Sequence, residues 1–426
     1  MKNPVEQLET LMRNTVFPGE QDSVNLNESN SESSLRKQMA TELYNKLKEN
    51  RPLRVYFGVD PTKPSLHIGH FIPIFKLKQF QDLGHEIIIL MGDFTGRLGD
   101  PSGQTKERTK HFYNCLQENS IKYEEQIFKI LDSEKTKIYY NSNWFEKMSL
   151  SEFIEIASYF PLKQIISRRE FQDRMNKGLR LQFDETLYSL FQGYDAYKLN
   201  CDVQVGSYDQ YFNMLAGRTI QENKGQEPHV IITTPLLMGI DGRKMSKSLN
   251  NTIDILDTAE NIYYKVMKIP DTLLPQYGKY LINLELRDKK DLCDTLIYND
   301  PYAAKHIIAY NITLMFHGQF KADEAKNSFI NMCENRSIPS KIINNEPINI
   351  AIKRDKFRGI YLPQLFKDAG ILLSNSEFSR LVKQKGIYIH DKDLNKLIAK
   401  NNWLNIPNGE YILQKGKHTF VKIKII

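Results

Sequence analysis

Two short strings, His67-Ile68-Gly69-His70 and Lys244-Met245-Ser246-Lys247-Ser248, carry residue types suited to gripping a polyphosphate. The first follows an apolar run, Arg54-Val55-Tyr56-Phe57-Gly58-Val59-Asp60, and opens a helical pattern, which predicts a strand-to-helix turn. The free N–H groups and dipole of a helix start favour an anion there. Two imidazoles beside them add donors, and Gly69 lets a nucleotide approach the backbone closely. The second string reads as a loop with two ammonium groups and two hydroxyls. Together they predict a split site for the phosphates and base of ATP.

Such a site needs a scaffold. Apolar runs at Val55–Val59, Glu86–Gly92, Lys137–Tyr140, Asp202–Gly206 and Val230–Thr234 alternate with helical patterns. That alternation predicts an α/β fold: a Rossmann-like, doubly wound parallel sheet. Ligands of such sheets lie beyond the carboxyl ends of the strands. Asp60-Pro61-Thr62, Asp93-Phe94-Thr95-Gly96 and Gly206-Ser207-Tyr208-Asp209-Gln210 all fall at those ends. The catalytic domain is expected over residues 1–252, with a Ser/Asn/Glu-rich mobile loop at 21–38 and a helix from Met39 to Asn50. Amphipathic helices follow over 253–343, one of them capped by Asp300-Pro301. A polar linker is expected over 344–359. A small α+β module then covers 360–426, with helices at Leu362–Ile371 and Ser376–Lys385 and strands beyond.

The 426 residues carry a net charge of +7. From Ile360 onward there are eleven Lys/Arg against five Asp/Glu, a net of +6, so the module is basic and the remainder nearly neutral. That asymmetry points to docking on phosphate, with a solvated surface in a Lys-rich composition as the alternative. No apolar stretch reaches spanning length, which argues against a membrane protein. Four scattered cysteines (Cys115, Cys201, Cys293, Cys333) without a C-x-x-C pair argue against a disulfide framework or a cysteine zinc site. The acidic, unprocessed-looking start makes the cytosol the expected compartment.

The string Tyr56-Phe57-Gly58-Val59-Asp60-Pro61-Thr62-Lys63-Pro64-Ser65-Leu66-His67-Ile68-Gly69-His70 resembles the opening of the tyrosyl-tRNA synthetase catalytic fold. Leu98–Gly103, Leu187–Asp195, Asp209–Asn213 and the Lys244–Ser248 loop complete the family's blocks in order. The chain is thus similar to bacterial-type members of the class I aminoacyl-tRNA synthetases. The final segment resembles their small S4-type RNA-binding domain, and the helical segment corresponds to an anticodon-binding domain.

That resemblance implies tyrosine activation by ATP with Mg²⁺, then transfer to tRNA(Tyr), by a homodimer that no membrane holds. It places Tyr56 and Asp195 at the substrate phenol, and Asp100, Tyr188 and Gln192 around the ammonium. Gln210 goes to the carboxylate and Asp209 to the ribose or adenylate. Tyr188, Gln192 and Asp195 fall at i, i+4 and i+7, on one helical face. A pocket built to bond a phenol rejects phenylalanine, because its buried polar groups would lose their partner. His67, His70 and Thr62 are expected to meet the phosphates, and Lys244 and Lys247 the leaving pyrophosphate. Gly58, Asp60, Gly69, Met245, Ser246 and Ser248 complete the nucleotide site. In-line attack on phosphorus asks for positioning and charge, so no nucleophile, general base or protein-held metal is assigned.

Ser207 stands where the family commonly has a second glycine. A tryptophan-specific relative, a non-catalytic RNA-binding descendant and a nucleotidyltransferase of small metabolites are the competing functions. Tyr56 with Asp195, the intact phosphate residues and the basic module respectively argue against them. His85 and His111 match no motif and are expected to be structural, and Tyr194 and Tyr197 to be packing residues.

Overall fold

Five of the predicted runs become five parallel strands in a computed structural model of the chain. The structure describes all residues except 1–2, 19, 21–32, 102–112, 247–248, 283–294, 335–345, 353, 356–358, 373, 385, 392–395, 399–401 and 417–418. The strands are β1 (Arg54–Val59), β2 (Glu86–Met91), β3 (Thr136–Tyr140), β4 (Val203–Ser207) and β5 (Val230–Thr234), in the order β3-β2-β1-β4-β5. Registers such as Phe57↔Ile89 and Val205↔Ile232 are parallel throughout. The order reverses between β1 and β4, so the switch point lies beside Tyr56 and Gln204, which pair across it.

Helix α1 (Pro4–Met12) starts on an Asn3 cap, and α2 (Ser34–Lys48) on a Ser33 cap that accepts from the Arg36 N–H at 3.1 Å. The expected loop at 21–38 is therefore helical from Ser34, and its residues 21–32 lie outside the described ones. A Ser33 hydroxyl placed three residues before a free N–H is a cap, a role the polar composition concealed. Helix α3 (Phe71–Asp82) is buried on nearly every side, with Phe71, Ile74, Leu77 and Phe80 at 0% exposure. Lys76 sits among them. Its ammonium donates to the carbonyls of Leu11 (2.9 Å) and Arg13 (2.7 Å) and to Gln79 Oε1 (2.7 Å), tying down the end of α1.

Helices α4 (Tyr113–Ile127), α5 (Leu150–Ser158), α6 (Leu162–Ile166), α7 (Arg169–Asn176), α8 (Phe183–Leu199) and α9 (Tyr211–Asn223) follow around the sheet. Helices α8 and α9 pack closely because Gly193 lies against the α9 backbone, where a Cβ would stand 2.8 Å from the Ala216 carbonyl carbon.

Helices α10 (Ala259–Met267), α11 (Leu274–Leu281) and α12 (Pro301–His317) continue the same compact unit, which runs to Phe316. The expected boundary at 252/253 is thus crossed by packing. Ile68 N–H donates to the Ile253 carbonyl, Tyr277 Oη donates to the Met238 carbonyl, and Phe316 meets Phe71 edge-on at 4.8 Å. The cap at Asp300 is as expected, accepting from the Ala303 N–H at 2.9 Å.

A second unit spans His317–Ile426 and begins with α13 (Gln319–Phe329). Its strands are β6 (Ile348–Ile350), β7 (Arg354–Asp355), β8 (Gly359–Tyr361), β9 (Ile387–His390), β10 (Lys396–Ile398), β11 (Trp403–Leu404), β12 (Gly409–Lys415) and β13 (Thr419–Ile425). They form sheets ordered β10-β9-β12-β13-β6 and β11-β8-β7. Helices α14 (Leu362–Asp368) and α15 (Asn375–Lys383) pack Phe366 against Phe378 in its core. The expected linker at 344–359 instead supplies strands, since β6 runs parallel to β13 with Ile350 opposite Ile425. Ile350 is buried in that core, and the surrounding asparagines had masked so short an apolar alternation. No helix of the described residues is long and apolar enough to cross a membrane.

Candidate active site

At the carboxyl end of β1 the chain bends through Asp60-Pro61-Thr62, and side chains of α4 hold the bend from outside. Asn119 Nδ2 donates to the Pro61 carbonyl (2.9 Å), Gln126 Nε2 to the Pro64 carbonyl (3.1 Å), and the Leu66 N–H to Gln126 Oε1 (2.8 Å). Thr62 is half-buried in this bend, its N–H on the Asp60 carbonyl. His67 then begins a single tight turn, Ile68–His70, which runs directly into α3.

The two imidazoles lie face to face at a tilt of 36°, their centroids 3.8 Å apart. His70 Nδ1 is 3.2 Å from the His67 N–H and 3.3 Å from the His67 carbonyl. That carbonyl already accepts the His70 N–H at 2.9 Å, so we assign Nδ1 as the acceptor and the ring proton to Nε2. Gly69 is needed by its own neighbour: a Cβ there would stand 3.0 Å from His67 Nδ1.

The Lys244 segment is brought to this turn by its continuation. Ile253 and Ile255 bond to Ile68 and Leu66 through the backbone, and His67 bridges to Asp254. Before that, residues 237–245 fold back on themselves, with Met238 opposite Lys244 and the Met245 N–H on the Leu237 carbonyl. Met245 is buried as the anchor of this loop. Asn251 staples it, donating to Asp241 Oδ1 (2.7 Å) and the Lys244 carbonyl (3.0 Å) and accepting the Ser246 N–H (2.8 Å). The Asn251 amide and the Arg243 N–H and guanidinium hold Asp241 down to a pKa of about 2. Lys247 and Ser248 lie outside the described residues.

Lys244 Nζ reaches Asp209 Oδ2 at 2.6 Å, and Ser207 Oγ donates to Asp209 Oδ1 at 2.6 Å. Ser207 therefore has a role that a glycine could not fill, orienting the Asp209 carboxylate after β4.

Between β1 and β4 a cleft is lined by Tyr56, Gly58, Asp60, Tyr188, Gln192, Asp195, Gln204 and Gln210. The structure thus brings together most of the residues singled out for the amino acid. Tyr188 Oη donates to Asp60 Oδ2 (2.9 Å), and Thr95 Oγ1 to Asp60 Oδ1 (2.7 Å). Their close packing requires Gly92, where a Cβ would fall 1.9 Å from Asp60 Oδ1. Over Gly58, by contrast, a Cβ would meet nothing nearer than 3.9 Å, so the strand is open to a ligand there. Asp100 follows Gly99, whose positive φ of 82° ends the helical turn Thr95–Leu98. It accepts from Gln210 Nε2 at 2.7 Å.

Asp195 is 3% exposed and accepts from Trp144 Nε1 (2.9 Å) and Asn141 Nδ2 (3.2 Å). Burial pushes its carboxyl well above the ordinary range, the two donors pull the other way, and Asp60 and Asp93 add to the rise. Tyr56 is fully buried, and its hydroxyl has no hydrogen-bond partner among the described residues. Burial likewise raises its phenol well above the usual value. An unpartnered hydroxyl and a buried carboxylate in one cleft are a recognition element for a ligand group that both donates and accepts.

Asn141, Trp144, Gln204 and Asn251 were not singled out from the sequence, whereas Thr95 belongs to the Asp93–Gly96 string expected at a strand end. Asn141 and Trp144 follow β3 directly, so the rule placing ligands beyond strand ends could have flagged them. His85 is structural, accepting the Leu53 N–H and meeting Gln7 Oε1, and Tyr194 packs on Phe145. His111 lies outside the described residues. Cys115 and Cys201 are free thiols.

A family model described as tRNA synthetases class I (W and Y) matches residues 48–334. The chain belongs to that family of class I synthetases. The curated tyrosine–tRNA ligase of Carboxydothermus hydrogenoformans is 38% identical over 395 residues, covering 91% of this chain and 93% of its own. That of Thermotoga maritima is 37% identical over 388 residues, covering 90% and 93%. Among solved structures, a C-terminally truncated Aspergillus nidulans mitochondrial tyrosyl-tRNA synthetase matches with a TM-score of 0.59 at 24% identity, over 77% of this chain and 93% of that one. The tyrosyl-tRNA synthetase of Archaeoglobus fulgidus, complexed with L-tyrosine, matches at 0.57 and 20% identity, over 76% and 100%. At those identities the structures speak to the fold alone.

Proposed function

We infer that the chain is a tyrosine–tRNA ligase, joining L-tyrosine to the 3′ end of tRNA(Tyr) through a tyrosyl-adenylate made from ATP. The observation that carries the choice of amino acid is the buried pair in the cleft: Asp195, held by Trp144 and Asn141, and the unpartnered Tyr56 hydroxyl. A phenol donates to the first and accepts from the second. Asp100, Tyr188 and Gln192 take the ammonium, and Gln210 the carboxylate.

The tyrosine carboxylate attacks the α-phosphorus in line, and pyrophosphate leaves. His67, His70 and Thr62 meet the phosphates as charge moves, and a proton on His70 Nε2 suits that role. Lys244 and Lys247 follow the leaving pyrophosphate; Lys244 is neutralised by Asp209 until a phosphate competes for it. Asp209 then turns to the ribose, while Gly58, Asp60, Gly69, Met245, Ser246 and Ser248 border the nucleotide. Mg²⁺ arrives with ATP on phosphate oxygens and water.

We assign tRNA docking to the helical segment and the basic, S4-like end of the chain, and the compartment to the cytosol. Homodimerisation is assigned to the stretch near residues 110–160, where Leu150 and Ile154 stand 72% and 58% exposed one helical turn apart. ATP–pyrophosphate exchange across the twenty amino acids tests the whole reading. Exchange with tyrosine alone is expected, and exchange with tryptophan instead would overturn it.

A further inference from the structure

Resting on the assignment of Asp100 and Gln210 to the ammonium and carboxylate ends of tyrosine, we propose that Arg168 is a positioning residue for that subsite. It acts through a chain of hydrogen bonds whose direction is set at both ends. Arg168 Nη1 donates to Asn213 Oδ1 at 2.8 Å. A guanidinium only donates, so the Asn213 amide oxygen must face it and the amide nitrogen must face away. Asn213 Nδ2 then donates to Gln210 Oε1 at 3.1 Å and lies 3.4 Å from Asp100 Oδ1. With its oxygen so used, Gln210 turns its own Nε2 to Asp100 Oδ2 at 2.7 Å. A carboxylate only accepts, so the sequence of donors and acceptors ends there. Flipping either amide would set N–H against N–H at one end or oxygen against carboxylate at the other.

The chain is enclosed, which gives each link weight. The Arg168 side chain is 3% exposed and Asn213 is 0% exposed. The guanidinium lies 4.9 Å from the Phe212 ring centroid and 5.4 Å from that of Phe171, a cation–π seat that fixes its plane. Arg168 lies between α6 and α7 and immediately precedes α7, whereas Gln210 immediately precedes α9 beyond β4. A residue outside the cleft thereby sets which end of an amide faces the substrate. Removing its donors leaves the Asp100 carboxylate alone to set the direction of the Asn213 and Gln210 amides, so the donor that Asp100 receives is held less firmly.

The test compares full-length wild type with Arg168→Met, Arg168→Lys and Asp100→Asn by equilibrium binding. Two ligands are used, tyrosine and 3-(4-hydroxyphenyl)propionate, which lacks the ammonium; KM for ATP is measured in exchange. Arg168→Met is expected to weaken tyrosine about tenfold, the scale of one charge-assisted hydrogen bond. The desamino ligand, which keeps only the carboxylate contact with Gln210, should weaken less, by about two- to threefold, and KM for ATP should stay within about twofold, so that the preference for the ammonium falls. Arg168→Lys, which keeps a donor and the charge, should restore most of that preference. If the methionine variant melts early, the lysine variant carries the test, with a two- to threefold loss expected in the same direction (about half of one hydrogen bond). Equal weakening of both ligands, or an unchanged preference in the Arg168 variants beside a reduced one in Asp100→Asn, would overturn the proposal. An unchanged preference in Asp100→Asn would refute instead the ammonium assignment beneath it.

Discussion

Replacing Tyr56 by phenylalanine separates recognition from stability. The Tyr56 hydroxyl is fully buried and bonds to no group among the described residues, so the folded chain carries a desolvated polar atom without return. Such an atom costs about 1–3 kcal/mol. Its removal should therefore leave the melting temperature unchanged or raise it slightly. With tyrosine bound, the same hydroxyl donates to the ligand phenol, a neutral hydrogen bond worth about 0.5–1.5 kcal/mol. Tyrosine should consequently bind about 2- to 13-fold more weakly, while phenylalanine, which cannot accept that bond, should bind no worse. Calorimetric melting read beside tyrosine and phenylalanine binding by equilibrium dialysis measures both sides. A melting temperature several degrees lower with tyrosine affinity intact would show the hydroxyl to be structural and the phenol assignment wrong.

Trp144→Phe removes the 2.9 Å donor to Asp195. It should weaken tyrosine by roughly tenfold or more, since bonds to charged groups reach about 1.5–3 kcal/mol. KM for ATP should not move, and an equal rise in both would argue for general unfolding of the cleft. Burial lowers His85 to a pKa of about 4 and His229 to about 3. Both are bases depressed below about 6.5, so the unfolded chain takes up protons that the folded one refuses. Stability should therefore fall as pH drops below 6.5, by about 1.4 kcal/mol per unit for each histidine, levelling once the folded pKa is passed. Urea midpoints at pH 7 and pH 5 check this, and a flat profile would contradict it. Deleting residues 346–426 should spare tyrosine-dependent exchange and cut aminoacylation; for the full chain that reaction should weaken steeply with salt, as phosphate contacts do. Salt-independent aminoacylation would remove the basic module from tRNA docking.

The inner strands were legible because strands buried on both faces are continuous apolar runs, and all five strands, the half-exposed edge strand β3 included, fall within a residue or two of their predicted limits. Residues of the cleft were legible where a motif marks them at a strand end, as with Tyr56 and Asp60. Asn141 and Trp144 escaped because neither titrates nor repeats with a period, and their place after β3 was the one sequence mark they carried; their partner Asp195 comes from a helix some fifty residues on. Lys76 and Arg36 look like solvated charges on amphipathic helices. Their part in closing off the carbonyls of Leu11, Arg13 and Thr15 depends on contacts 21 to 65 residues apart. The strand at Ile348–Ile350 was hidden for the same reason, since its partner lies at the far end of the chain.

One of the two edge strands of the five-stranded sheet, β5, would otherwise offer a row of open backbone groups to any extended peptide. Instead the Thr233 carbonyl accepts the Val16 N–H at 3.0 Å, and the Ile231 N–H lies against the Met39 sulfur at 3.4 Å. The leading residues thus work as a selvedge, finishing the fabric so that it does not fray into neighbouring copies. Their worth is then felt in how long the enzyme stays dispersed in a crowded solution, more than in how fast it turns over.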